Sequence, residues 1–154
     1  MKRVISLLAA VFMTLGTLQA QNIVIGERAP ELKNIAWLSD RQPVAAEFTL
    51  LVFFHSSNEG CIRALSNLET LSSKLDTKLR IVVVTPEDPE KIAPILSPYL
   101  APRFGVALDP SKRPFSAFGV DFVPFSVLID SKNRVAWMGN PMTVTSNFIR
   151  KITQ

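Results

Sequence analysis

The sequence predicts an α/β protein with a central mixed β-sheet and helices on both faces. Two continuous apolar runs, 49–54 (TLLVFF) and 79–84 (LRIVVV), are too short for helices and rich in β-formers, as central parallel strands buried on both faces are. Between them lies a stretch with helical periodicity, and after them two further apolar runs flank Asp130-Ser131-Lys132-Asn133, a hairpin turn. Strands that alternate with helices and then close in an antiparallel pair make a layered sheet with a mixed edge.

At 154 residues the chain suffices for one domain, and 47% hydrophobic with 19% charged residues is a globular composition. The first twenty residues stand apart. Lys2 and Arg3 precede an apolar run from Val4 to Leu18, and Gln19-Ala20 offers a cleavage point before Gln21. This is the pattern of a secretory signal peptide, and the run is shorter than the ~20 residues that span a bilayer. Residues 1–20 are therefore expected to be a signal peptide, with an uncleaved N-terminal anchor as the alternative, and 21–154 the domain, exported, and periplasmic if the source is Gram-negative. No cysteine follows the apolar run to take a lipid, so no stable membrane anchor is expected after cleavage. Without Lys2 and Arg3, 15 basic residues face 13 acidic ones, a bias too small to argue for nucleic acid. One cysteine cannot form an internal disulfide in an oxidising compartment, so stability rests on the core.

The elements follow in order. Pro30 and Pro43 break residues 22–48, where a short hairpin of 32–37 with 44–48 is expected. After the 49–54 strand, Cys61, Ala64, Leu65, Leu68, Leu71 and Leu75 share one side of a helix at 100° per residue. Ser56 with Glu59 fits a capping box, and Asn58 is itself a cap residue. Asp88-Pro89 opens the next helix, which Pro94 and Pro98 keep short or kinked over 89–97. A short strand at 105–108 and a helix at 111–118, stopped by Gly119, lead to the hairpin strands 125–129 and 134–138. A last helix at 143–152 places Val144, Phe148 and Ile152 on one stripe.

This arrangement resembles the thioredoxin fold, and more closely the exported thiol-disulfide oxidoreductases of the TlpA/ResA group. The residues that carry the resemblance are Ile25-Gly26 with Ala29-Pro30, the strand LLVFF, the strand IVVVT, and FGVDFVPFSVLIDSKNRV at 118–135. It covers most of residues 24–154. The resemblance implies that Val123-Pro124 is a cis-proline loop facing the active-site turn, where an extended peptide can pair with the backbone. Read without it, Pro124 is equally a trans proline opening an edge strand. It also places the family's C-x-x-C motif on Asn58-Glu59-Gly60-Cys61, with Ser57 in place of the usual tryptophan. The attacking cysteine is thus replaced by Asn58, and Cys61 holds the resolving position, so no dithiol cycle can run within one chain.

Two readings of Cys61 follow. At a helix start the macrodipole lowers a thiol pKa, and a lone thiolate there exchanges with a small thiol or a client protein. The periodicity, however, puts Cys61 on the core face, and free cysteine is among the most buried residues. The corresponding functions are monothiol exchange or a redox-inactive protein of that family, and, as the alternative, a non-catalytic module that holds a peptide at Val123 and Pro124. A peroxiredoxin-like peroxidase fits poorly, because Asn58 and Phe54 stand where that motif needs threonine and proline. His55 either activates Cys61 or bonds nearby backbone, the commoner role for a lone histidine at a strand end. Glu59 suits the helix dipole. One histidine and one cysteine make no metal site, and no cofactor is expected. Trp37 and Trp137 fit either a core or a docking surface.

Overall fold

The computed structural model describes residues 23–154, so the expected signal peptide at 1–20 lies outside the described residues. Six strands form one sheet: β1 (Ala36–Trp37), β2 (Phe48–Phe53), β3 (Leu79–Thr85), β4 (Phe104–Leu108), β5 (Phe125–Ile129) and β6 (Val135–Gly139), in spatial order β1-β4-β3-β2-β5-β6. The centre β4-β3-β2 is parallel, while β5, β6 and β1 join antiparallel. Every residue of β2 is buried, because both of its faces are covered.

The period-2 alternation of the strands sorts their side chains into two cores. Leu50, Val52 and Phe54 pack with Ile81, Val83, Phe104 and Val106 beneath α1 (Glu59–Lys74), α2 (Pro89–Leu96) and α4 (Ser146–Ile152). Leu51, Phe53, Val82, Val84 and Val127 face the other way, against Phe115 and Phe118 around α3 (Arg113–Ala117) and against the N-terminal segment.

Helix α1 follows its sequence pattern closely. Cys61, Ala64, Leu65, Leu68 and Leu71 are its buried residues, and Leu75 closes it with its N–H on the Leu71 carbonyl at 3.0 Å. Each large apolar side chain so buried contributes about 1.5–3 kcal/mol. Asn67 donates to the carbonyls of Pro141 and Val144, at 2.9 and 3.0 Å, and so ties α1 to the segment before α4. Pro94 inside α2 has no N–H to give, and the helix stops at Leu96 in a short 3-10 turn.

Three expectations are corrected. The segment 44–48 does not pair with 32–37: β1 instead runs antiparallel to β4, with Ala36 opposite Leu108 and Trp37 opposite Ala107. Pro43 is buried against Gly105 of β4, and the Val44 N–H bonds the Pro102 carbonyl at 2.7 Å, so this segment is held from the β4 side. The last helix begins only at Ser146, capped by the Thr145 hydroxyl on the Phe148 N–H, and its buried contact is Ile149, whereas Ile152 is exposed. Ser56 does not cap α1, because its hydroxyl and N–H are both spent on Glu87. Trp37 and Trp137 are half-buried and pack on opposite cores, Trp137 edge-on to Phe148 at 5.5 Å.

A Cβ on Gly105 would lie 2.5 Å from Pro43 Cδ. Gly105→Ala is accordingly expected to lower stability by about 1–3 kcal/mol through overpacking, read as a lower urea midpoint with unchanged slope.

Candidate functional site

The end of β2 delivers the chain into a tight turn, His55 to Asn58, from which α1 departs. Asn58 is in extended backbone geometry and is the helix cap: its Oδ1 accepts the Cys61 N–H at 3.1 Å. The same side chain donates through Nδ2 to the Val123 carbonyl, 65 residues away, at 3.0 Å. One amide therefore satisfies an orphan helix donor and joins the turn to the loop before β5. The Val123–Pro124 peptide bond is cis. Gly60 lets that loop come close, since a Cβ there would sit 3.0 Å from Asn58 Oδ1 and 3.2 Å from Pro124 Cδ.

Cys61 has no exposed surface. Burial holds its thiol above the ordinary range; the His55 backbone opposes this, and the Glu87 charge adds to it. The macrodipole expectation of a lowered pKa is thus reversed, because desolvation of a thiolate outweighs the helix end. The imidazole of His55 is turned to Ser57, with Nδ1 3.2 Å from its N–H and 2.7 Å from its Oγ. Glu59 is exposed and pairs with Arg63 at 3.4 Å.

Glu87 is the residue that sequence reasoning missed. It follows β3, and its side chain is almost wholly buried behind the turn. Its carboxylate accepts the Ser56 hydroxyl, the Ser56 N–H at 2.8 Å and the Thr85 hydroxyl at 3.1 Å, with Lys91 Nζ at 3.1 Å and His55 Nδ1 at 3.8 Å. Burial pushes its pKa up, but the bonds from Ser56, Lys91 and Thr85 together win and leave it below the ordinary range. The sequence signal was the i,i+4 pair Glu87/Lys91 beside the turn residues Thr85 and Pro86.

An open cavity of about 650 Å³ lies over the turn, lined among others by His55, Ser57, Asn58, Phe115, Val120 and Val123. Phe122 also lines it and is 69% exposed, edge-on to Phe125. Of the residues singled out in the sequence, His55, Ser57, Asn58 and Val123 meet at this surface. Pro124 and Gly60 pack beside it, Glu59 points to solvent, and Cys61 lies beneath. Among the described residues no group of three or more His, Cys, Asp or Glu side chains could hold a metal, and no helix is long and apolar enough to cross a membrane.

No family model and no curated protein sequence matches the chain. Solved structures do. A candidate protein disulfide isomerase from Bacteroides thetaiotaomicron is 19% identical with a TM-score of 0.67, covering 86% of this chain and 87% of that one. A candidate thiol:disulfide interchange protein DsbE from Chlorobium tepidum is 21% identical, with a TM-score of 0.61 over 76% and 85%. A thioredoxin-like protein in its oxidised form is 18% identical, with a TM-score of 0.63 over 87% and 96%. The fold of this chain is thioredoxin-like.

Two outcomes test the site. Asn58→Ala removes a cap and leaves the Val123 carbonyl without its donor, an expected loss of about 2 kcal/mol in urea unfolding, with Asn58→Asp, which keeps the acceptor, losing less. A carboxyl whose pKa is lowered on folding contributes stability that is full above its unfolded value of about 4.3 and is lost as pH falls through the folded value. Stability measured from pH 6 down to pH 3 should therefore fall more steeply in the native chain than in Glu87→Gln.

Proposed function

We propose that this is an exported, redox-inactive relative of the TlpA/ResA oxidoreductases that holds an extended polypeptide in the groove over Asn58. The observation that carries the reading is the fully buried Cys61, whose N–H is capped by Asn58, the residue that the resemblance puts at the attacking thiol's position. A thiol that solvent does not reach, and whose ionisation burial opposes, is a poor partner in exchange. The surface above it suits binding: an apolar wall of Phe115, Val120 and the exposed Phe122, beside the polar edge of Ser57 and Asn58.

The names of two structural neighbours refer to disulfide isomerisation and thiol:disulfide interchange. Here the client surface of such a protein would be retained without its chemistry. Asn58 takes the Val123 carbonyl, so a bound polypeptide would rely on side-chain contacts with the phenylalanines more than on pairing with that carbonyl. Residues 1–20 would direct export and be removed, leaving Gln21 as the first residue of the mature chain.

Iodoacetamide should label Cys61 slowly in the folded chain and rapidly in denaturant. Binding of a permanently unfolded probe, reduced and carboxamidomethylated lactalbumin, should survive Cys61→Ala and weaken about tenfold in Phe122→Ser, the ~1.4 kcal/mol of a modest aromatic anchor. Rapid labelling of the folded chain would turn the reading to monothiol exchange, and probe binding unchanged in Phe122→Ser would remove the groove over Asn58 as the binding surface.

A further inference from the structure

A second cavity, of about 420 Å³, opens at the other end of the strands from the Asn58 turn. Its polar focus is a row across the sheet, in which Thr49 of β2 stands opposite Arg80 of β3 and Ile129 of β5. On this face the neighbouring core residues are Leu51 and Val82, and Trp37 closes the side from β1. An arginine at a core-facing position of a central strand needs a reason, since such positions otherwise take apolar residues.

Arg80 is half-buried, and burial lowers its pKa with no acidic neighbour to restore it. Its Nε donates to Thr49 Oγ1 at 3.1 Å, which fixes the plane of the guanidinium. Among the described residues no carboxylate lies within 4 Å of it. Two acidic residues do line the cavity, yet both are engaged elsewhere. Glu31 pairs with Arg28 at 3.6 Å and Lys33 at 4.0 Å, and Asp130 Oδ1 accepts the N–H groups of Lys132 and Arg134, both at 2.9 Å, in the hairpin turn. What remains is an oriented guanidinium with the half-buried Trp37 beside it, in a mainly polar cavity of small-ligand size.

We propose that this cavity binds a small organic carboxylate, its anionic end on Arg80 and its body beside Trp37. A carboxylate matches the fork of donors in two parallel bonds. A single charge suits the site better than a phosphate dianion, which the carboxylates of Glu31 and Asp130 in the lining would oppose more strongly. The site is independent of the groove over Asn58 and of what that groove binds.

The test is calorimetric titration of the chain with phenylacetate, isovalerate and indole-3-acetate, alongside neutral phenylacetamide and inorganic phosphate. Phenylacetate should bind about tenfold or more tighter than phenylacetamide, with phosphate weaker than any of the three acids that binds. Arg80→Gln should remove that preference, while Phe122→Ser leaves it in place. Failure of all three carboxylates, equal binding of acid and amide, phosphate binding as tightly, or a preference that survives Arg80→Gln would each overturn the assignment. Should Arg80→Gln fail to fold, the ratio of acid to amide in the native chain decides alone.

Discussion

One asparagine side chain holds the two halves of this sheet in working relation. Its Oδ1 caps the N-terminus of α1 and its Nδ2 grips the Val123 carbonyl, so the start of the principal helix and the approach to β5 share a single amide. Residues 58 and 123 are far apart in sequence, and β2 and β5 are already neighbours in the sheet. The amide extends that pairing beyond the last ladder bonds, where Phe53 meets Phe125, into the loops. Gly60 lets Pro124 approach closely enough for this. A part-buried, satisfied polar link of this kind favours one arrangement over its alternatives, because a group left unpaired would lose part of its hydration without a protein partner in return.

Behind that link a carboxylate organises the turn. Glu87 receives the Ser56 hydroxyl and N–H while Lys91 approaches from α2, so the loop after β3 and the loop after β2 are tied at their adjacent ends. The charge is kept because its partners surround it, not because it is exposed. It also weighs against a thiolate at Cys61. Turn architecture and thiol chemistry are therefore opposed here: the group that shapes the loop disfavours ionisation of the sulfur beneath it.

The layout of strands and helices was legible because it rests on periodicity, which burial enforces directly. The five apolar positions of α1 from Cys61 to Leu71 are its buried face, and β2 and β3 read as continuous apolar runs because helices or loops cover both their sides. The N-terminal segment was not legible. Its two-residue strand pairs with β4, about seventy residues on, and no local pattern encodes so distant a partner. Within the site, Asn58 as cap could be read from its position, but its hold on Val123 could not, since side-chain reach across the sheet depends on the finished fold. Ser56 shows the same limit, because a distant carboxylate outcompeted the local cap that its spacing suggested. Neither Glu87 nor Arg80 was marked out by its place in the sequence; the fold buries the first and half-buries the second.

The two-handed role of Asn58 bears on how this site can change over generations. A cysteine at that position would offer a weak donor and a weak acceptor on a shorter arm, in place of an amide that fills both tasks at once. The first step toward a working dithiol would thus loosen the helix start and the loop beside it before any new activity could compensate. The asparagine thus holds the helix start and the loop in place at the cost of leaving that position without a thiol.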